Sequence, residues 1–457
     1  MVATAAHLWS CASEGHNSCA RAVSTPARSP RFFFSTCACS TQSAAHSSPR
    51  SAHARALMAD EPTELSALPP ALMRRICALL PVDARARCAT VSPGLRALLA
   101  DCSLWTRLDL SEASGITCRV SDGVLRGAAA RAGGALQTLI LEHTRKCGIT
   151  DAALLEVVKA NAGALQELRM WPCLAYIGNL LNVLRAAPAL RVLSLRVICG
   201  VDIAPDMLRN EPPYGPLRLE TLEVLPPNLS DDPMTVASVM ALIEALPAHA
   251  ALRGLRIVNA PLEDDATCGA LVDAALSLQL PELALVECAT SAATASALAR
   301  LLRGGALTEL RLKECSGVLD EAASTAELAA ALRESKTLTS LSLAQMGLWR
   351  PSVPGAALLD ALTGHPSLQE LQCDSEPADD PSAAGIALAA LVAADAPALL
   401  TLNAASCRLG DVALGPLGDA LPRNTHLRRL RISADGISEA FAAQQLLPAV
   451  RANASLR

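Results

Sequence analysis

Leucines spaced as L-x-x-L-x-L return through most of the chain. They are led by Leu136, Leu165, Leu190, Leu219, Leu252, Leu280, Leu307, Leu338, Leu368, Leu399 and Leu427, and Leu456 opens one more copy. The intervals run from 25 to 33 residues and average about 29. Alternation of this kind predicts a short strand whose leucines face one side while the residues between them face the other. In the first copy, Leu136, Leu139 and Leu141 are the inward set. The segment Thr150-Asp151-Ala152-Ala153-Leu154-Leu155-Glu156-Val157-Val158 follows it with a polar N-cap and aliphatics at i, i+3, i+4, which predicts a helix on the opposite side. Burying each leucine contributes about 1.5–3 kcal/mol, whereas ordering each residue's backbone costs about 1–2 kcal/mol. One such unit therefore cannot stand alone, and the copies must stack into a continuous core.

Ahead of the array, three short amphipathic patterns occupy residues 66–108. Leu72, Ile76, Leu79 and Leu80 recur at helical spacing between Pro69-Pro70 and Pro81. Asp83 reads as the N-cap of a second helix ending near Val91. Ser92-Pro93 starts a third, which sets Leu95, Leu98, Leu99 and Cys102 on one face. Leu104-Trp105-Thr106-Arg107-Leu108-Asp109-Leu110 then looks like a degenerate first strand, joined without a linker. Some forty residues bury too little surface to be stable alone, so the module needs a partner.

Leu68-Pro69, Leu72, Ile76, Leu79-Leu80-Pro81, Asp83, Val91-Ser92, Arg96 and Leu104-Trp105 together resemble an F-box in order and spacing. Two positions depart from that pattern. Ala71 stands where an acid is usual, and Leu95 replaces an aromatic, which weakens the match but leaves its apolar frame intact. The resemblance implies docking onto a Skp-type adaptor and its cullin complex through Leu68, Pro69, Leu72, Ile76, Leu80, Val91 and Leu95. The alternative is a helical cap on the first repeat.

The 29-residue period, with a helix on the outer side, resembles a leucine-rich repeat. That implies an α/β, right-handed horseshoe, with parallel strands on the concave face and helices on the convex face. The expected division is a disordered or targeting segment at 1–60, an F-box-like module at 64–103, and a solenoid of about eleven full repeats at 104–457, the last incomplete. Cys173, Cys288, Cys315 and Cys407 fall where such repeats turn Cys or Asn toward the backbone. Cys147-Gly148-Ile149-Thr150-Asp151 is similar to the cysteine-containing subtype. The stretch from Cys407-Arg408-Leu409-Gly410-Asp411 to Asn424 is similar to ribonuclease-inhibitor-like repeats. Helix Phe441 to Val450 would serve as an improvised end cap if no further repeat follows.

Composition narrows the class. Aromatics are 2% of the chain and hydrophobic residues 51%, which suits narrow aliphatic layers rather than a solvated chain. Net charge is −5, and no basic stripe with interleaved aromatics occurs, so nucleic acid is not an expected partner. Residues 1–57 hold five Arg, no Lys and one acid, a local charge of +4. That segment reads as a transit peptide, a disordered tail, or an extension upstream of an authentic start at Met58. The expected location is cytoplasm or nucleus, with organelle targeting by residues 1–57 the lesser alternative. None of the 16 Cys forms a CxxC pair, which favours a reducing compartment. The apolar window Gly385–Ser406 is broken by Asp395 and Pro397 and fits a helix plus strand, so no membrane span is expected.

Outward strand positions line up across stacked repeats about 4.8 Å apart. The informative ones are Glu167, Arg169 and Trp171; Arg196; Glu223 and Arg256; Glu309, Arg311 and Lys313; Glu370, Gln372 and Asp374; and Arg429 and Arg431. They form a mixed-charge strip with a basic end, several Arg and a lone Trp, the residue types enriched at interface hot spots. Of eight scattered His, four fall in residues 1–57 and the others, such as His143 and His249, lack close Cys, Ser or carboxylate partners in the sequence, and Asp264-Asp265 and Asp379-Asp380 read as solvated loop acids. No metal, cofactor or catalytic role is expected. The leading reading is a non-catalytic receptor in an SCF-type ubiquitin ligase that holds an unidentified protein target for ubiquitin-dependent degradation. Its rival is a repeat scaffold or inhibitor of ribonuclease-inhibitor type.

Overall fold

Each leucine motif from Leu136 to Leu427 folds as expected, into a strand that begins two residues after its leading leucine. The computed structural model describes residues 68–457 except 112–113, 115–119, 142–147, 171–181, 197–217, 226–233, 351–354, 375–377 and 433–435. The strands are β1 (Arg107–Asp109), β2 (Thr138–Leu141), β3 (Glu167–Met170), β4 (Val192–Arg196), β5 (Thr221–Leu225) and β6 (Gly254–Val258). They continue as β7 (Glu282–Val286), β8 (Glu309–Lys313), β9 (Ser340–Ala344), β10 (Glu370–Gln372), β11 (Thr401–Asn403) and β12 (Arg429–Arg431). All pair in parallel in chain order within one sheet. A separate two-residue pair joins Pro261–Leu262 to Ala289–Thr290.

Register is fixed by one leucine per strand. Leu108, Leu139, Leu168, Leu193, Leu222 and Leu255 stack rung on rung, and Leu283, Leu310, Leu341, Leu371, Leu402 and Leu430 continue the row. All but Leu430 are buried. A one-residue slip would turn this row to the opposite face, so the apolar layer itself enforces the pairing. Helices such as Asp151–Ala160, Ala292–Arg303 and Pro381–Ala393 return the chain on the other side. Thr150 caps the first of these as its spacing predicts, accepting from Ala153 N at 3.2 Å. The apolar window at 385–406 is helix Pro381–Ala393 followed by β11. Among the described residues no helix is long and apolar enough to cross a membrane. The architecture is that of a leucine-rich-repeat solenoid preceded by a helical module.

A buried polar side chain ties each of several helix ends to the next strand. Asn424 donates to Val392 O (2.9 Å) and accepts from Leu427 N (2.8 Å). Asn453 repeats this with Leu421 O and Leu456 N, both 2.7 Å. His365 fills the equivalent place: Nε2 bonds Leu332 O at 3.0 Å, while Nδ1 accepts from Leu368 N at 3.1 Å. Only the neutral ring can accept at Nδ1 while donating at Nε2. Burial pushes the His365 pKa below its ordinary 6.5, outweighing the upward pull of the Leu332 carbonyl. The unfolded chain therefore binds the proton more readily, and this part of the stability is present above about pH 6.5 and lost on acidification. His365→Asn preserves both hydrogen bonds without a titrating group. Its urea midpoint is expected to fall less than the wild type's between pH 7.5 and 5.5; equal falls would show that His365 does not carry the dependence.

The amino-terminal module comprises α1 (Pro70–Leu79), α2 (Val82–Val91) and α3 (Pro93–Leu98). Ser92 caps α3, accepting from Leu95 N at 3.1 Å. Asp83, expected as the N-cap of α2, instead lies within its first turn, and Pro81 holds the cap position. The carboxylate there pairs with Arg87 at 3.3 Å. Leu98 and Leu99 pack inward, but Cys102, expected on the same face, is exposed and opens a short turn at Cys102–Trp105.

That turn buries Trp105 completely. Its Nε1 donates to Leu99 O at 2.8 Å, and two guanidiniums lie over its ring, that of Arg85 at 6.0 Å from the centroid and that of Arg131 at 4.7 Å. Arg85 comes from α2, Arg131 from helix Asp122–Arg131 of the first repeat. Arg85 is 9% exposed and donates to Leu80 O (2.8 Å), Ala78 O (3.0 Å) and Leu104 O. Burial lowers its pKa, and the three carbonyls offset the cost of desolvating the charge. One arginine thus gathers the end of α1 and the entry to β1 around a single ring.

Candidate functional site

Two surfaces stand out, one on the module and one on the strands. On α1 the core-facing residues are Met73 and Cys77. The stripe Leu72, Ile76, Leu79, which shares a face at helical spacing, is turned away from that core. Leu72 is 44% exposed and Leu79 86%, while Ile76 is half-buried. Val91, at the end of α2, is 74% exposed. Of the other residues singled out by the F-box resemblance, Pro69 is exposed and Leu68, Leu80 and Leu95 are half-buried. Leu79 was visible in the motif but not expected as a contact; it is the most exposed large aliphatic among the described residues. The module therefore has two apolar sides, one buried and one bare.

The second surface is a groove of about 480 Å³ on the strand face, spanning β3 to β10. Arg169, Glu309, Arg311 and Lys313 line it, as do Glu223, Arg256, Gln372 and Asp374 from the expected strip. Its depth comes from small outward side chains that charge-based reading passed over: Gly254, Ala284, Ser342 and Ala344. Not every outward position is solvated. Ile140 and Ser194 are buried, and Leu225, Val258 and Val286 form a small buried apolar cluster at the strand ends.

Charges in and beside the groove are largely neutralised internally. Arg169 pairs with Glu167 (2.6 Å) and Glu223 (3.5 Å), and Arg256 pairs with Glu223 (3.1 Å). Arg107 reaches Glu167 at 3.5 Å, Lys313 reaches Glu314 at 3.1 Å, and Arg311 pairs with Glu309. Arg429 and Arg431 lie outside the groove on β12, both exposed. Trp171 and the side chain of Arg196 lie outside the described residues, as do Cys147 and Cys173.

The remaining chemistry is structural. Cys288, Cys315 and Cys407 are buried and turned to the backbone as expected, donating to Val286 O (3.5 Å), Lys313 O (3.3 Å) and Cys373 O (3.2 Å) respectively. Asp264 and Asp380 are not idle loop acids: each caps a helix, accepting from Thr267 N (2.8 Å) and Ala383 N (3.1 Å). The hydrogen bond from Thr267 N holds the Asp264 carboxyl below its ordinary range. Among the described residues no group of three His, Cys, Asp or Glu could hold a metal ion.

Comparison with known families agrees with the helical module. Residues 65–111 match the F-box-like family model. Among solved structures, the chain is similar to one in the complex of Rad7 and Elc1 from yeast, with 15% identity and a TM-score of 0.42 over 67% of this chain and 74% of that one. It is also similar to an internalin (InlF) from Listeria monocytogenes, with 19% identity and a TM-score of 0.35 over 80% of this chain and 95% of that one. No curated protein matches the sequence. The chain carries an F-box-like domain followed by a solenoid of leucine-rich-repeat type.

Proposed function

We propose that this protein is a substrate receptor: the F-box-like helices grip a Skp-type adaptor within an SCF-type cullin-RING ubiquitin ligase, and the strand face holds a protein target. The observation that carries this reading is the bare aliphatic stripe on α1 and α2, within residues that match the F-box-like family. A module serving only as a cap needs just the Met73 and Cys77 side; it has no use for Leu72, Leu79 and Val91 in water. Exposed aliphatics of this kind mark a binding surface. The protein's contribution is proximity and orientation of the target, not bond chemistry.

The test is retention of the full chain on an immobilised recombinant Skp-type adaptor. Binding is expected at micromolar concentration or tighter, and Leu72→Asp with Leu79→Asp is expected to weaken it at least a hundredfold. Both side chains are solvent-facing, so the fold should persist. Val412→Asp, at another exposed aliphatic on an outer helix, should bind as the wild type. Absence of wild-type retention, or retention indifferent to the double substitution, would rule the reading out.

A further inference from the structure

Arginines on the strand face fall into two kinds. Arg107, Arg169, Arg256 and Arg311 each have a carboxylate partner within the sheet. Arg429 and Arg431 have none among the described residues, and both are exposed. Their register partners on β11 are Thr401 and Asn403. Asn403 is more than nine-tenths buried, and its Oδ1 accepts from Ala405 N at 3.2 Å. Its Nδ2 makes no hydrogen bond among the described residues. The arrangement is two unneutralised guanidinium forks beside a fixed, unused amide donor.

We infer that Arg429, Arg431 and Asn403 form a subsite for an extended acidic protein segment carrying carboxylates at alternate positions. This rests on the strand face being the target-binding surface proposed above. Alternate side chains on one face of a strand are about 6.5–7 Å apart, and carboxylates at i and i+2 of an extended segment share that pitch. Each guanidinium can then take one carboxylate through its planar fork. The arginines stand side by side along β12 rather than facing each other across a pocket, which suits two separate carboxylates better than a single phosphate. The paired arginines nearer the groove would first have to give up their own glutamates to do the same.

The experiment is fluorescence anisotropy on the full chain with a labelled twelve-residue peptide of alternating Glu and Ser. Two counterparts are used: one with Gln for every Glu, and one with Gln for every Glu and a single phosphoserine. The Glu peptide is expected to bind and to weaken steeply with salt. Arg429→Gln with Arg431→Gln should weaken it at least tenfold, whereas the Lys pair, which keeps charge but loses the fork, should fall in between. Equal binding by wild type and the Gln pair would overturn the inference, as would binding of the phosphoserine peptide with none of the Glu peptide. Adaptor retention by the same preparations reports on the receptor reading independently, so its failure and the failure of this subsite are separable.

Discussion

Trp105→Ala is expected to uncouple the amino-terminal helices from the first repeat. Truncating a buried Trp to Ala costs about 3–5 kcal/mol, and here the loss has two further parts. Leu99 O loses the indole N–H, and Arg85 loses the ring it lies beside while remaining buried among the carbonyls of Ala78, Leu80 and Leu104. Residues 70–98 have little else to bury, because one side of α1 already faces water. Hydrogen exchange should therefore show α1–α3 exchanging far faster, while the rungs from β5 onward keep their protection. Adaptor retention should fall although Trp105 is fully buried and touches no adaptor. Trp105→Phe keeps a ring but not the hydrogen bond and should lose about 1–2 kcal/mol, the cost of an unpaired buried carbonyl plus a smaller ring. Unchanged exchange in residues 70–98 would mean that the module does not depend on this ring.

The same junction shows where sequence reading reaches and where it stops. The strand ladder was legible because one signal, leucine at period two renewed about every 29 residues, is repeated until no other fold satisfies it. The module's helices were legible from their prolines and Ser92. Which side of α1 faces the core was not. Helical spacing picks out Leu72, Ile76 and Leu79 as apolar, but a pattern cannot say whether the chain itself or another molecule covers them. Met73 and Cys77, less conspicuous in the pattern, are the residues that close the core. Arg85 was missed for a related reason. A charged residue on an amphipathic helix reads as solvated, and only the folded backbone shows three carbonyls converging on its guanidinium. Asp264 and Asp380 became helix caps because a loop acid next to a helix start has free amides within reach. On the strand face the charges were legible and the groove was not, since its depth depends on the smallness of Gly254, Ala284 and Ser342.

Smallness matters most on the helix side, at Gly385. This residue is buried in helix Pro381–Ala393, against helix Gly410–Ala420 of the next repeat. A Cβ there would stand 2.0 Å from the Ala413 carbonyl oxygen and 2.6 Å from its carbon. Both are backbone atoms, so no side-chain rotation relieves the clash, and the two helices would have to part. Overpacking costs about 1–3 kcal/mol, occasionally more, whereas replacing a helical Gly by Ala in open space gains about 0.5–1 kcal/mol. Gly269 supplies the comparison: it lies within helix Asp265–Ser277, and an added Cβ would meet nothing within 4 Å. Gly385→Ala is therefore expected to lower the urea midpoint and Gly269→Ala to raise it, the same chemical change with opposite signs. Gly385→Val, with two more methyl groups pressed into the same backbone, should destabilise further and accelerate exchange in both helices around it. Because each repeat leans on its neighbours, that loosening should spread toward β11 and β12 before it reaches β5. A Gly385→Ala variant as stable as the wild type would show that the helices separate freely, and would remove close backbone contact as the reason for glycine there.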